Sequence, residues 1–107
     1  MTTCWVNVMP RLVHHSLHLH PLACISGTYY VQVPEGSGKL KLEDPRMPLF
    51  MAAPPRKQNP KKNTPYFYEI SPKQGQIMLW ESWLRHEVTA NRGAGQRVSV
   101  SFNYEWV

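Results

Sequence analysis

The feature that most constrains this chain is a series of short runs in which apolar and polar residues alternate, each closed by proline or glycine. "GTYYVQV" (27–33) runs into the turn "PEGSG", "KLKLE" (39–43) into "DPRMP", and "YFYEI" (66–70) into "SPKQG", which leads to "QIMLW" (76–80). "HEVTAN" (86–91) and, past "RGAG", "QRVSVSFNYEW" (96–106) continue the series, and "WVNVMPRLV" (5–13) adds a strand at the start. A period of two sends successive side chains to opposite faces, as strands do and helices do not. Ten prolines in 107 residues agree, since each removes a backbone donor and restricts the residue before it. No segment reads as a helix. Short strands with Gly/Pro turns predict an all-β sandwich or barrel.

At this length the expectation is one domain over residues 1–107, with no linker and no internal repeat. A hydrophobic fraction of 42% and four tryptophans argue against disorder. The formal charge is +5, with much of the excess in "PPRKQNPKKN" (54–63), which reads as a solvated basic loop. No nucleic-acid-binding motif accompanies it, so a nucleic-acid partner is not expected. Cys4 and Cys24 form no metal-type spacing and read as reduced thiols. No apolar run approaches the roughly 20 residues of a membrane span, and the N-terminus lacks the basic and apolar regions of a signal peptide. The expected location is the cytoplasm, without membrane association.

The last run has two distinct faces. Val98, Val100, Phe102 and Tyr104 share one, which is expected to face a hydrophobic core. Arg97, Ser99, Ser101, Asn103 and Glu105 share the other, which either meets water or lines a cavity inside the barrel.

"HHSLHLHP" (14–21) holds four histidines. His18 and His20 are two apart, so on a strand they point the same way and can share one ion, and neutral imidazole suits Fe, Zn, Cu and Ni. His14 has the same parity and His15 does not. An HxH pair by itself is a weak signal, because surface histidines are commoner than ligands. His86 follows a buried-looking strand and is a candidate third ligand. Arg97 can then grip a carboxylate with its planar fork, with Ser99 adding a hydrogen bond from the same face. Such a site suits a keto acid that chelates a metal through one end.

With that order of HxH, His and Arg-x-Ser, the chain resembles the 2-oxoglutarate- and Fe(II)-dependent oxygenases, and more narrowly an oxygenase family of bacteria and their phages. The resemblance is carried by "WVN", "HSLHLHP", "ISGTYYVQVP", "LKLEDPR", "ISPKQGQIMLWESWLRHEV" and "RVSVSFNY". It implies a double-stranded β-helix, or jelly roll, here in a minimal single-domain form. It implies Fe(II) on His18, His20 and His86, and 2-oxoglutarate on Arg97 and Ser99, with Tyr30 and Asn103 lining the co-substrate pocket. The implied reaction is hydroxylation of a small molecule or protein, with 2-oxoglutarate converted to succinate and CO2.

His20 stands where the superfamily usually carries Asp or Glu, which leaves the metal one negative charge short. The alternative is a carboxylate from Glu43 or Asp44, with His20 outside the ligand set. The chain is short for the superfamily, and a homodimer would compensate. Tyr29, Tyr66, Tyr68, Trp80 and Trp83 are expected either in the core or around the substrate. Two other readings remain: a cupin-type metal protein that uses no 2-oxoglutarate, and a non-enzymatic β-sandwich binding module with its histidines on the surface.

Overall fold

The alternating runs become eight strands: β1 (Thr3–Met9), β2 (His15–His18), β3 (Ala23–Gln32), β4 (Leu40–Glu43), β5 (Phe67–Ile70), β6 (Ile77–Glu81), β7 (His86–Val88) and β8 (Arg97–Glu105). They form two four-stranded antiparallel sheets, ordered β1-β8-β3-β6 and β2-β7-β4-β5, in the jelly-roll arrangement. The structure is a computed structural model that describes residues 1–56, 58 and 66–106. Of the basic stretch at 54–63, positions 57 and 59–63 lie outside the described residues. Among the described residues no helix is long and apolar enough to cross a membrane.

One short helix does form, α1 (Met47–Met51), where the sequence suggested none. Pro48 sits in its first turn, where a missing N–H costs nothing. Asp44 starts the turn, its Oδ1 accepting from the Arg46 amide at 2.9 Å. "HEVTAN" is shorter than its pattern suggests, because the strand ends at Val88. Beyond it the Asn91 side chain, fully buried, donates to the carbonyls of Met9 (2.9 Å) and Gly95 (2.8 Å) and so ties the chain back to β1.

The first sheet is inverted relative to the sequence expectation for β8. Arg97, Ser99, Ser101 and Asn103 are buried, whereas Val98, Val100 and Phe102 are only half-buried and Tyr104 is exposed. The register carries this inversion across the sheet. Tyr30, Thr28 and Ser26 of β3 lie opposite Ser99, Ser101 and Asn103 on the inner face, and Met9 and Asn7 of β1 lie opposite Arg97 and Ser99. Val6, Val8, Tyr29, Ile77 and Leu79 therefore point outward and are exposed. The buried apolar residues are few: Met9, Tyr30, Leu40 and Val88. A face of inward hydroxyls and amides is tolerable because its members satisfy each other. Asn7 Nδ2 donates to Ser101 Oγ at 2.8 Å, and Thr28 Oγ1 and Ser101 Oγ share a bond of 2.9 Å.

Gly27 is required by close approach. A Cβ there would stand 2.5 Å from the Phe102 ring and 2.7 Å from Leu79 Cδ2, which lie across it on the outer face. The second sheet has an outer face of the usual kind, laced by Lys41–Glu87 (3.0 Å) and Lys39–Glu69 (3.5 Å) ion pairs. The interior between the sheets is thus polar on one wall, and that wall positions the site.

Candidate metal centre

The register β2–β7 places His18 directly opposite His86. Their ring centroids are 4.4 Å apart, and His20 lies 5.1 Å from each. Ligand atoms of the three imidazoles fall within 4.8 Å of one another, a spacing one ion could bridge. His20 lies beyond the end of β2, where its amide donates to the carbonyl of Ser82, just past β6, at 3.0 Å, and its side chain lines the cavity.

Two of the rings have their tautomer fixed by the backbone. His86 Nδ1 meets the Leu84 carbonyl at 2.8 Å, and His18 Nδ1 meets the Ser16 carbonyl. A carbonyl only accepts, so each Nδ1 carries the proton and each Nε2 keeps a bare lone pair for a metal. Burial pushes the His86 pKa down to about 4, with the neighbouring His18 and His20 adding to the shift and the Leu84 hydrogen bond opposing it. His20 is also lowered, by burial first and His18 second. Burial thus favours the neutral form of His86 and His20, the form that ligation requires.

The two carboxylates that could have replaced His20 are engaged elsewhere. Asp44 accepts from Arg46 Nε (3.0 Å) and Nη2 (2.8 Å), which holds its carboxyl down at about 2. Glu43 pairs with Arg85 at 3.4 Å. Among the described residues, the three histidines are the group able to hold an ion.

A cavity of about 90 Å³ runs from this cluster to Arg97. Arg97 is 2% exposed and has no carboxylate partner among the described ion pairs. Its guanidinium lies 5.0 Å over the Tyr30 ring, Nη1 reaches Met9 Sδ at 2.9 Å, and Nε has no partner. A buried cation in these surroundings is one that an anion would stabilise. Ser101 and Asn103 also line the cavity, whereas Ser99, although 1% exposed, is enclosed beside it rather than lining it.

His15 and Trp5 are among the lining residues that the sequence reading did not single out. His15 faces the cavity despite its parity, because β2 carries an extra residue: His15 and His18 are three apart, while their partners Val88 and His86 are two apart. Burial lowers its pKa, and so does the charge of Arg97. Trp5 reaches in from β1 to 6.0 Å from the His20 ring. Of the aromatics proposed for the substrate, Trp80 lines the cavity and packs edge-on to His86 at 4.9 Å. Tyr29 points outward, Tyr68 and Trp83 are exposed, and Tyr66 stacks under Arg56 and against Phe50.

The depressed pKa of His86 makes a stability prediction. The unfolded chain takes up this proton near pH 6.5, the folded chain near 4. The folded state is thus favoured fully above pH 6.5, and that contribution is lost as pH falls towards 4. Thermal melting of metal-free protein should fall across this window, and His86→Gln should flatten the fall. An unchanged slope in the variant would assign the acid sensitivity to other groups.

The jelly roll thus brings together three histidines able to hold an ion and, in the same cavity, a buried arginine without a carboxylate partner among the described residues. Residues 3–103 match the family described as "Putative 2OG-Fe(II) oxygenase", and the chain belongs to that family. Among solved structures it is similar to an oxidoreductase of the 2OG-Fe(II) oxygenase family from Burkholderia pseudomallei (TM-score 0.71, 18% identity, 95% of this chain and 42% of that one). It is also similar to a Pseudomonas putida prolyl-4-hydroxylase (TM-score 0.68, 15% identity, 97% of this chain and 51% of that one). These likenesses concern the fold, and the chain spans about half of each neighbour or less. No curated protein matches it in sequence.

Proposed function

We propose that the protein is an Fe(II)- and 2-oxoglutarate-dependent dioxygenase that hydroxylates its substrate with release of succinate and CO2. The observation that carries this reading is the buried guanidinium of Arg97 in the same cavity as the histidine cluster, with no carboxylate partner among the described residues. A metal-binding barrel that used no keto acid would have no reason to keep an uncompensated cation there.

In this reading Nε2 of His18, His20 and His86 hold the iron, and bound iron supplies the activation of dioxygen that drives decarboxylation and hydroxylation. The rest is the work of the chain. Arg97 binds the distant carboxylate of 2-oxoglutarate through its fork, with the Tyr30 ring centroid 5.0 Å from the guanidinium helping to hold it in place. His15 lies on the opposite sheet and lines the same cavity. Trp5 and Trp80 flank the histidines and restrict water around them.

Three neutral ligands also suit a cupin-type metal protein, and a direct titration separates the two. Under anaerobic conditions, Fe(II) followed by 2-oxoglutarate is expected to produce a weak visible metal-to-ligand charge-transfer band. Iron binding without such a band, together with no measurable 2-oxoglutarate affinity, would favour the metal protein that uses no keto acid.

A further inference from the structure

The third histidine is oriented differently from the other two. His18 and His86 each have a backbone carbonyl at Nδ1, whereas His20 Nδ1 faces the side-chain amide of Asn103 at 3.5 Å. That amide is buried and ends a chain of short hydrogen bonds. Asn103 and Ser26 Oγ are 2.8 Å apart, and Ser26 Oγ and Ser82 Oγ are 2.8 Å apart. Ser26 is 1% exposed and Ser82 is fully buried, so these groups must satisfy one another.

The chain can run in either direction. With the amide nitrogen towards the ring, Nδ2 donates to His20 Nδ1, the imidazole proton is forced onto Nε2, and that nitrogen is closed to a metal. Rotating the amide by half a turn brings its oxygen to the ring, and the two orientations are nearly equal in shape, so the hydrogen-bond network decides between them. Nδ1–H then donates to Oδ1, Nδ2 donates to Ser26 Oγ, and Ser26 donates to Ser82. Each of these three contacts still pairs a donor with an acceptor, and His20 acquires the arrangement that His18 and His86 already have.

We infer that Asn103 is a positioning residue that presents its carbonyl oxygen to His20 Nδ1–H, with Ser26 and Ser82 holding the amide in that orientation, and so turns the His20 Nε2 lone pair towards His18 and His86. The inference rests on the reading of His20 as a metal ligand. It gives Asn103, at the far end of β8 from Arg97, a task at the metal rather than at the co-substrate carboxylate. It also explains how a neutral histidine serves at a position that usually holds a carboxylate: its basicity is raised by an acceptor behind it.

The test is long-range ¹H–¹⁵N correlation of the imidazoles at pH 8, which reads each tautomer directly, in metal-free protein and with zinc as a diamagnetic probe. In the native chain all three rings are expected as Nδ1–H tautomers when zinc is bound. Asn103→Leu should move His20 towards the Nε2–H tautomer in the metal-free state, leave His18 and His86 unchanged, and weaken zinc binding about 10- to 100-fold. Asn103→Asp keeps an acceptor and loses the donor, so it should retain the native His20 tautomer and bind zinc at least as tightly. An unchanged His20 tautomer in Asn103→Leu overturns the inference. Should the leucine variant not fold, a drop in zinc affinity for Asn103→Asp overturns it equally. His20→Ala separates this result from the ligand reading. Native zinc affinity in that variant removes His20 from the metal site, whereas lost affinity there with an indifferent Asn103→Leu removes the positioning role alone.

Discussion

Arg97→Met is expected to lose 2-oxoglutarate binding by more than about 100-fold, keep metal binding, and melt at a higher temperature than the native chain when no ligand is present. The opposite signs follow from one cause. A guanidinium at 2% exposure has surrendered its hydration, and the thioether of Met9 and the ring of Tyr30 return little of it. Burial therefore works against its charged state, as the lowering of its pKa indicates. A carboxylate in the cavity would satisfy Nε and one Nη together, and removing one partner of such a buried pair costs about 3–5 kcal/mol, or roughly two to four orders of magnitude in affinity. Without the anion, an apolar side chain of similar length leaves nothing unpaired, and such replacements are neutral or stabilising by about 1–4 kcal/mol. Arg97→Lys should fall between, because a point charge cannot form the bidentate fork. Isothermal titration with 2-oxoglutarate and thermal melts of the metal-free proteins read both halves. Equal co-substrate affinity in the methionine variant would remove Arg97 from the site. A lower melting temperature would show that Met9 and Tyr30 compensate the charge better than their geometry suggests.

The same residue shows where sequence reading stops. The alternation of β8 is plain in "RVSVSFNYE", and it fixes which side chains share a face. It does not say which face is inside. The ordinary rule sends valines inward, but a barrel that encloses charged ligands reverses it, and here the serines, Asn103 and Arg97 are buried while Val6, Val8 and Leu79 are exposed. That choice depends on what the second sheet brings opposite, which no local pattern encodes. His15 escaped for a related reason. A bulge is defined by the partner strand, and the residue count between His15 and His18 differs from that of β7 only once the two are paired. The proximity of His18 and His20 was legible because two residues on an extended chain suffice to make it. The distance between His18 and His86 was not, being a tertiary pairing, and only the family's order of motifs pointed to it. The helix α1 was obscured by prolines that break most helices yet fit a first turn.

Zinc or nickel at about one hundred times its dissociation constant is expected to raise the melting temperature of the native protein by roughly 10 °C or more. His18→Ala and His86→Ala should each abolish the increment. Binding to the folded state alone stabilises by about 2.7 kcal/mol at that ratio, and for a domain of this size each kcal/mol moves the midpoint by about 4–8 °C. The three rings meet at centroid distances of 4.4–5.1 Å, and with the Nδ1 protons of His18 and His86 directed at backbone carbonyls the Nε2 lone pairs of those rings are available to a metal. An ion held by all three rings joins His86 to residues 66 and 68 positions away, which the unfolded chain does not do, although metal held by the four histidines at 14–20 of the unfolded chain would reduce the increment. The increment, rather than the melting point itself, is the quantity to compare. His86→Ala also vacates the contact with the Trp80 ring at 4.9 Å and lowers the baseline, and taking the difference with and without metal cancels that packing loss. His20→Asp supplies the negative charge this centre lacks and should keep or enlarge the increment, at the expense of the partner it offers to Asn103. An increment that survives in both alanine variants would mean that the metal binds elsewhere on the chain, and the three-histidine centre would have to be given up.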